Sequence, residues 1–260
     1  MTMFDPGFDI QPLNNPLGFR YGGDVFGPEV ECRSLEQIRS SLQNPECSGP
    51  ETVYAIAMDV GKKEHKTELE RRMLLFGAVT YASGRLGDEP IRSQGHVHKV
   101  SVHSGWSPPE LYEIWSGRAI IYMQEKAEDD PGRCFAVVAE PGEVVVVPPN
   151  WAHATISGNP EVPLTFGAWC DREYGFEYQK VREHQGLAWY PLLNSTNELI
   201  WSQNASYDYR DLMIKRPEDY EKLGIQKGIS IYRQFEQDPD RFLWVSNPQL
   251  AAVVWKHFTP

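Results

Sequence analysis

From residue 74 to residue 169 the chain sets short apolar runs between clusters of glycine, proline and acidic residues. Leu74–Tyr81, Glu110–Trp115, Arg118–Gln124, Cys134–Ala139, Val144–Val147, Ala152–Ile156 and Leu164–Trp169 each read as a strand. They are too short for typical helices and rich in β-branched and aromatic residues. A further strand is expected through His96 and His98, with turn chemistry at Ser83–Asp88, Glu128–Gly132 and Pro141–Gly142. Short strands recurring at roughly 8–12 residues between such turns are the pattern of an antiparallel sandwich or barrel. Nothing in this span has the period of a βαβ unit, so the expected core is all-β.

The flanks are less regular. Residues 1–30, with Pro12-Leu13-Asn14-Asn15-Pro16-Leu17-Gly18, read as an irregular arm laid over a surface or a partner subunit. Arg33–Leu42 has helical spacing, with Ser34 as N-cap and Gln37 placed to close a capping box. Thr52–Met58 predicts a strand, the charged run Gly61–Lys66 a solvated loop that includes His65, and Thr67–Arg72 a short helix. Beyond Trp169 come a polar stretch to Gly186, an apolar one over Leu187–Leu193, and a helix expected to start at Pro217, where proline suits a first turn. The tail keeps burying aromatics, Phe242, Trp244 and Trp255 among them, and so predicts a packed extension. The resulting division is an arm with a short helix over residues 1–50, a barrel over 51–190, and an extension packed on it over 191–260.

Composition narrows the partners. A formal net charge of -11 over 260 residues makes nucleic acid and anionic membranes poor partners; an anionic small molecule needs a local basic pocket. Four cysteines without CxxC spacing predict thiols in a reducing compartment. The N-terminus lacks a basic and apolar leader, and no apolar run reaches the ~18 residues of a membrane-spanning helix, so a cytoplasmic location is expected. Without secretion, the sequons at Asn194 and Asn204 are chance matches.

The chemistry gathers at Gly95-His96-Val97-His98, at Pro109-Glu110-Leu111-Tyr112, and at Pro148-Pro149-Asn150-Trp151-Ala152-His153. Alternate residues of a strand share a face, so His96 and His98 can point the same way. Glu110 and His153 would complete a set of three imidazoles and one carboxylate, suited to one Fe(II), Mn(II), Ni(II) or Zn(II). His103, in the connecting loop, is a rival ligand. Glu113 is a rival carboxylate, but it lies on the strand face opposite Glu110, whereas Tyr112 shares the face of Glu110 and either lines the pocket or simply fills the barrel.

These stretches resemble the two motifs of the cupin superfamily, and more narrowly the cupin-type glucose-6-phosphate isomerases of archaea and some bacteria. The lead-in Gly84-x-x-Gly87-Asp88-Glu89-x-x-x-Ser93-x-Gly95-His96, the Pro-Pro-x-Trp-Ala-His turn, and Glu177-Tyr178 followed by Arg182-Glu183 and Gly186 carry the likeness, which spans roughly residues 30–190. The resemblance implies a jelly-roll barrel of antiparallel strands with short N- and C-terminal helices. It implies His96, His98, Glu110 and His153 as metal ligands, and Ser93, Gly95 and Thr80 at the phosphate end of a substrate. It gives Tyr178 a substrate contact beside catalysis. The chain departs from the family where Ser93 replaces threonine, Phe176 a histidine and Gln179 a glycine; Tyr174-Gly175 offers a competing register for the tyrosine motif.

Aldose–ketose isomerisation needs a base near two adjacent carbons and stabilisation of the enediolate oxygens. A metal with open positions and a carboxylate at its edge offer both. Glu110 is the candidate base, and a hydride shift is the competing mechanism. Arg85, Arg92, Lys99, Lys180 and Arg182 are the cations available to a phosphate. The first expectation is therefore a homodimeric isomerase of glucose 6-phosphate and fructose 6-phosphate, with Fe(II) as the leading metal. An Fe(II) dioxygenase and a non-catalytic sugar-binding cupin are the alternatives on the same scaffold.

Overall fold

A computed structural model describes residues 3–260. Two sheets face each other. The larger has six strands in the order Val144–Val147, Glu110–Ser116, Thr165–Asp171, Leu74–Tyr81, Thr52–Met58 and Glu31–Ser34, antiparallel throughout. The smaller runs Ala152–Ser157, Ala119–Gln124, Cys134–Ala139 and Leu212–Lys215, with only the last pair parallel. Leu75, Tyr81, Tyr112, Ile114 and Phe166 from the first sheet meet Ile121, Met123, Phe135 and Val137 from the second in one buried cluster. The core is an all-β jelly-roll barrel. Every strand expected between residues 74 and 169 is present, within one or two residues at its ends, save that the His96–His98 strand is only Val97–His98.

The large sheet is buried on both sides. Leu74, Phe76, Leu111, Trp115 and Trp169, on its outer face, form a second cluster with Phe8, Ile10, Phe19, Tyr232, Phe235 and Phe242 from the two ends of the chain. Trp169 stacks on Tyr232 at a centroid distance of 5.7 Å and an interplanar angle of 13°. A strand covered on both faces reads as a continuous apolar run, which is why Leu74–Tyr81 shows no polar alternation.

The flanks depart from expectation in five places. The arm is irregular only in part, over residues 3–9 and 27–30 among those described. Ile10–Asn14 and Leu17–Tyr21 form a hairpin, and the Asn-Asn-Pro cluster that suggested coil sits at its turn. Two strands outside the 51–190 span complete the sheets, Glu31–Ser34 and Leu212–Lys215, both at sheet edges; the first is short and polar and carries no apolar signature, while the second, Leu-Met-Ile-Lys, is apolar but only four residues long. The Arg33–Leu42 helix is a single α-turn, Leu35–Ile38, followed by a 3₁₀ turn, although Ser34 and Gln37 do form the expected capping box. No helix starts at Pro217. One 3₁₀ turn, Glu221–Leu223, ends at Gly224 with a positive φ, and the next helix begins at Ile231. Lys66–Arg71 is helical, while Gly61–Lys62 pairs with Val25–Phe26 instead of forming loop.

Candidate metal centre

Gly95 sets the entry to the site. Its φ is +88°, and a Cβ there would lie 2.9 Å from the Leu187 side chain, so only glycine fits without displacement. The next residue, His96, is bonded reciprocally to His153 across the barrel mouth: His96 N–H donates to His153 O at 3.0 Å, and His153 N–H to His96 O at 2.9 Å. Their rings lie 4.3 Å apart, with His98 5.1 Å from His96 and 4.9 Å from His153. Glu110 opens its strand just after Pro108-Pro109 and brings Oε2 to 3.3 Å from Nε2 of both His98 and His153. His96, His98, Glu110 and His153 each offer one ligand atom, all within 4.8 Å of one another.

The hydrogen bonds show which atoms are left to bind. Nδ1 of His98 bonds Pro108 O at 2.8 Å, and Nδ1 of His153 bonds Trp151 O at 3.0 Å. A carbonyl only accepts, so each Nδ1 carries a proton; each Nε2, aimed at Glu110 Oε2, offers its lone pair to a metal or takes a second proton that it donates to the carboxylate. Nε2 of His96 is buried without any partner. Lone pairs and a carboxylate converging on one point repel unless a cation lies among them, and this donor set fits a divalent metal. Burial, reinforced by His153 and His98, holds the His96 imidazole well below its usual range. Burial alone would raise Glu110, but hydrogen bonds from His153 and His98 outweigh it and hold its carboxyl well below the usual carboxylate range. At His98 burial is outweighed by Glu110, which raises its pKa, so a proton and a metal compete for that nitrogen.

Two further side chains hold Glu110. Tyr112 O–H donates to Oε2 at 2.6 Å, and the Cys170 thiol donates to Oε1 at 3.3 Å. Sequence reasoning placed Tyr112 beside Glu110 and missed Cys170. Its only sequence signal was its place after Phe166 and Ala168 on the inward face of its strand.

The remaining candidates divide. Tyr178 stands 5.9 Å from His96, with the Arg182 guanidinium 5.1 Å from its own ring centroid. Phe176 packs closer, 4.5 Å from His96. Together with Lys99 and Arg182 these two line an open cavity of about 440 Å³. Ser93 lies one strand away, its Oγ accepting from Thr155 N–H at 3.0 Å. Thr80 is not brought to the site: its hydroxyl bonds Thr165 Oγ1 at 3.0 Å. It points outward because it shares the strand face of Phe76 and Ala78, not that of Leu75 and Tyr81.

Among the other cations, Arg92 is buried against Glu89 and the Ser41 carbonyl, Arg85 bonds Leu193 O, and Lys180 faces Glu128. His103 is exposed, and its backbone N–H donates to Glu173. Glu113 lies on the outer face, accepting from Trp115 Nε1–H and Ile231 N–H. A second group, Glu64, His65 and Glu236, has the spacing of metal ligands, but Lys62 already pairs with Glu236 and His65 Nδ1 bonds the Tyr232 hydroxyl at 3.2 Å. A larger cavity, about 700 Å³, opens beside Tyr220 and Ile225 and is lined by none of the clustered ligands.

Comparison with known proteins meets this geometry. The family model described as glucose-6-phosphate isomerase (GPI) matches residues 33–210. The chain belongs to the glucose-6-phosphate isomerase family. All four clustered residues lie inside the matched span of that family. The glucose-6-phosphate isomerase of Thermococcus onnurineus (strain NA1) is 30% identical over 110 residues, 42% of this chain and 53% of that protein. That of Sinorhizobium medicae (strain WSM419) is 29% identical over 141 residues, 53% of this chain and 60% of that protein. The chain thus spans about half the length of the curated relatives it matches. Among solved structures, a Bacillus subtilis oxalate decarboxylase is similar at a TM-score of 0.34 and 13% identity, over 50% of this chain and 29% of that one. So loose an overlap says nothing about chemistry. No helix among the described residues is long and apolar enough to cross a membrane.

Proposed function

We propose that this chain interconverts glucose 6-phosphate and fructose 6-phosphate, with a divalent metal held by His96, His98, Glu110 and His153. The observation that carries the reading is the unpartnered Nε2 of His96 facing two oriented imidazoles and an ionised carboxylate, within a chain of the glucose-6-phosphate isomerase family. A bound metal supplies Lewis-acid stabilisation of the negative charge that develops on the two substrate oxygens. Glu110 moves the proton between C1 and C2 of the open-chain sugar. Its Oε1 is the freer oxygen for that transfer, because a thiol is a weaker donor than the tyrosine hydroxyl held by Oε2. Tyr178 orients the substrate at the mouth, and Ser93 and Gly95 shape the backbone next to its phosphate end.

Iron(II) is our choice of metal, since mixed imidazole and carboxylate ligation suits it. A cytoplasmic homodimer completes the reading. Unpaired thiols suit a reducing compartment, and exposed Met213 and Ile214 on an edge strand, with Tyr209 just before it, supply apolar surface for a second copy. The test is a coupled assay from fructose 6-phosphate on chelator-stripped protein, with Fe(II), Mn(II), Ni(II) and Zn(II) restored in turn. One metal should restore turnover, and Glu110→Gln should lower kcat by about 10²–10⁴-fold, the span of a lost general base. Metal-loaded protein without turnover would refute the isomerase reading, and Glu110→Gln with unchanged turnover would refute the role of Glu110.

A further inference from the structure

Phe176 is at once a wall of the 440 Å³ cavity and a cover over the ligand cluster. Its ring centroid lies 4.5 Å from that of His96 and 5.8 Å from that of His98, edge-on to the first. The backbone that carries it is held lightly. Phe176–Glu177 pairs with Val97–His98 through two residue pairs only, extended by one bond from Lys99 N–H to Gly175 O at 2.8 Å. A ribbon so short opens at small cost compared with the seven-residue pairing between the Leu74 and Thr165 strands.

The outer side of this wall carries two cations that have no carboxylate partner among the described residues. Lys99 and Arg182 both line the cavity. Arg182 spends its contacts on neutral groups, donating from Nε to Gln94 Oε1 at 3.0 Å and lying over Tyr178. Glu177 and Glu183 line the same cavity, but each turns an oxygen onto Gln179, one to its backbone N–H and one to its side-chain amide, both at 2.8 Å. The lining thus carries two cations and two carboxylates; neither Lys99 nor Arg182 is ion-paired among the described residues, and each carboxylate turns one oxygen onto Gln179.

We propose that Phe176 is the gate between this cleft and the metal centre, and that Lys99 and Arg182 draw a small anionic substrate, a phosphate or carboxylate ester or acid, to its outer side. Passage requires the Phe176 ring to leave His96. The identity of the anion rests on the isomerase reading; the gate does not.

The experiment follows a metal through the gate. Holoprotein loaded with Co(II) is mixed with excess chelator, one anionic (EDTA) and one neutral (phenanthroline), and loss of the metal's visible absorption is timed; uptake by stripped protein is timed separately. Removing the Phe176 ring from His96, in Phe176→Ala, should speed loss to both chelators about tenfold, the size of one aromatic pair. Uptake should accelerate by the same factor, leaving Kd and the Co(II) spectrum unchanged, because a gate alters both rates and a damaged site alters only loss. Phe176→Leu should fall between the two, and it stands in if the alanine variant fails to fold. Lys99→Ala should slow loss to EDTA and leave loss to phenanthroline unchanged. Equal rates in wild type and folded Phe176 variants, or faster loss without faster uptake, would overturn the gate. Equal EDTA rates in wild type and Lys99→Ala would overturn the anion-drawing role. Failure of the isomerase assay with the gating kinetics intact would count against the substrate and leave the gate standing.

Discussion

At the scale of single residues, Glu110 has each oxygen assigned to a different neighbour. Oε2 faces two imidazoles and the Tyr112 hydroxyl, while Oε1 meets only the Cys170 thiol. Groups that orient a ligand commonly contribute about 10–100-fold to metal affinity. Tyr112→Phe should therefore weaken metal binding about tenfold, as measured by titration of stripped protein. Cys170→Ala should do less, because an S–H···O bond is the weaker constraint. Equal affinities in wild type and Tyr112→Phe would show that the hydroxyl is a bystander. The alternation rule made the direction of Glu110 and Tyr112 legible from their spacing. Cys170 was not legible, since its partner lies 60 residues away on a neighbouring strand.

At the scale of elements, the strand of Glu110 works on both faces. Three residues on, Glu113 is fully buried on the outer side, where it accepts the Ile231 N–H at 2.7 Å and so ties the start of the Ile231–Gln237 helix to the sheet. Burial pushes its pKa up from 4.5 to about 8. A carboxyl raised on folding contributes stability that is complete below its unfolded value of 4.5 and is lost as pH climbs through about 8. The loss is on the order of a few kcal/mol. Chemical denaturation across that window should show stability falling as pH rises. In Glu113→Gln the slope should flatten; a slope equal to that of wild type would place its origin elsewhere. The sequence put Glu113 on the opposite face from Glu110 by period alone. What covers that face was hidden, because the covering helix lies more than a hundred residues downstream.

At the scale of the whole molecule, the centre joins three parts of the chain: the short Val97–His98 strand with His96, the start of a large-sheet strand at Glu110, and the small-sheet strand bearing His153. A metal bound only by the folded state stabilises it by RT ln(1 + [L]/Kd), about 2.7 kcal/mol at a hundredfold excess over Kd. Addition of metal should thus raise the Tm of stripped protein, and His153→Ala should abolish most of the rise. A Tm indifferent to metal would mean that these three parts do not share an ion.

Local sequence was enough for the strands between residues 74 and 169, for the capping box at Ser34, and for picking out His96, His98, Glu110 and His153 as one group. Each depends on local periodicity, on turn residues, or on motifs a few residues long. Tertiary structure decided the rest. Whether Thr80 faces the pocket or its outer wall, which acid the Cys170 thiol meets, and how Phe176 comes to lie over His96 all depend on strand register and sheet pairing. Those are set by contacts between residues far apart in sequence, and no local pattern encodes them. The N-terminal hairpin and the C-terminal helices belong to the same class: their aromatics announced burial, but only the assembled outer face of the large sheet determined where they are buried.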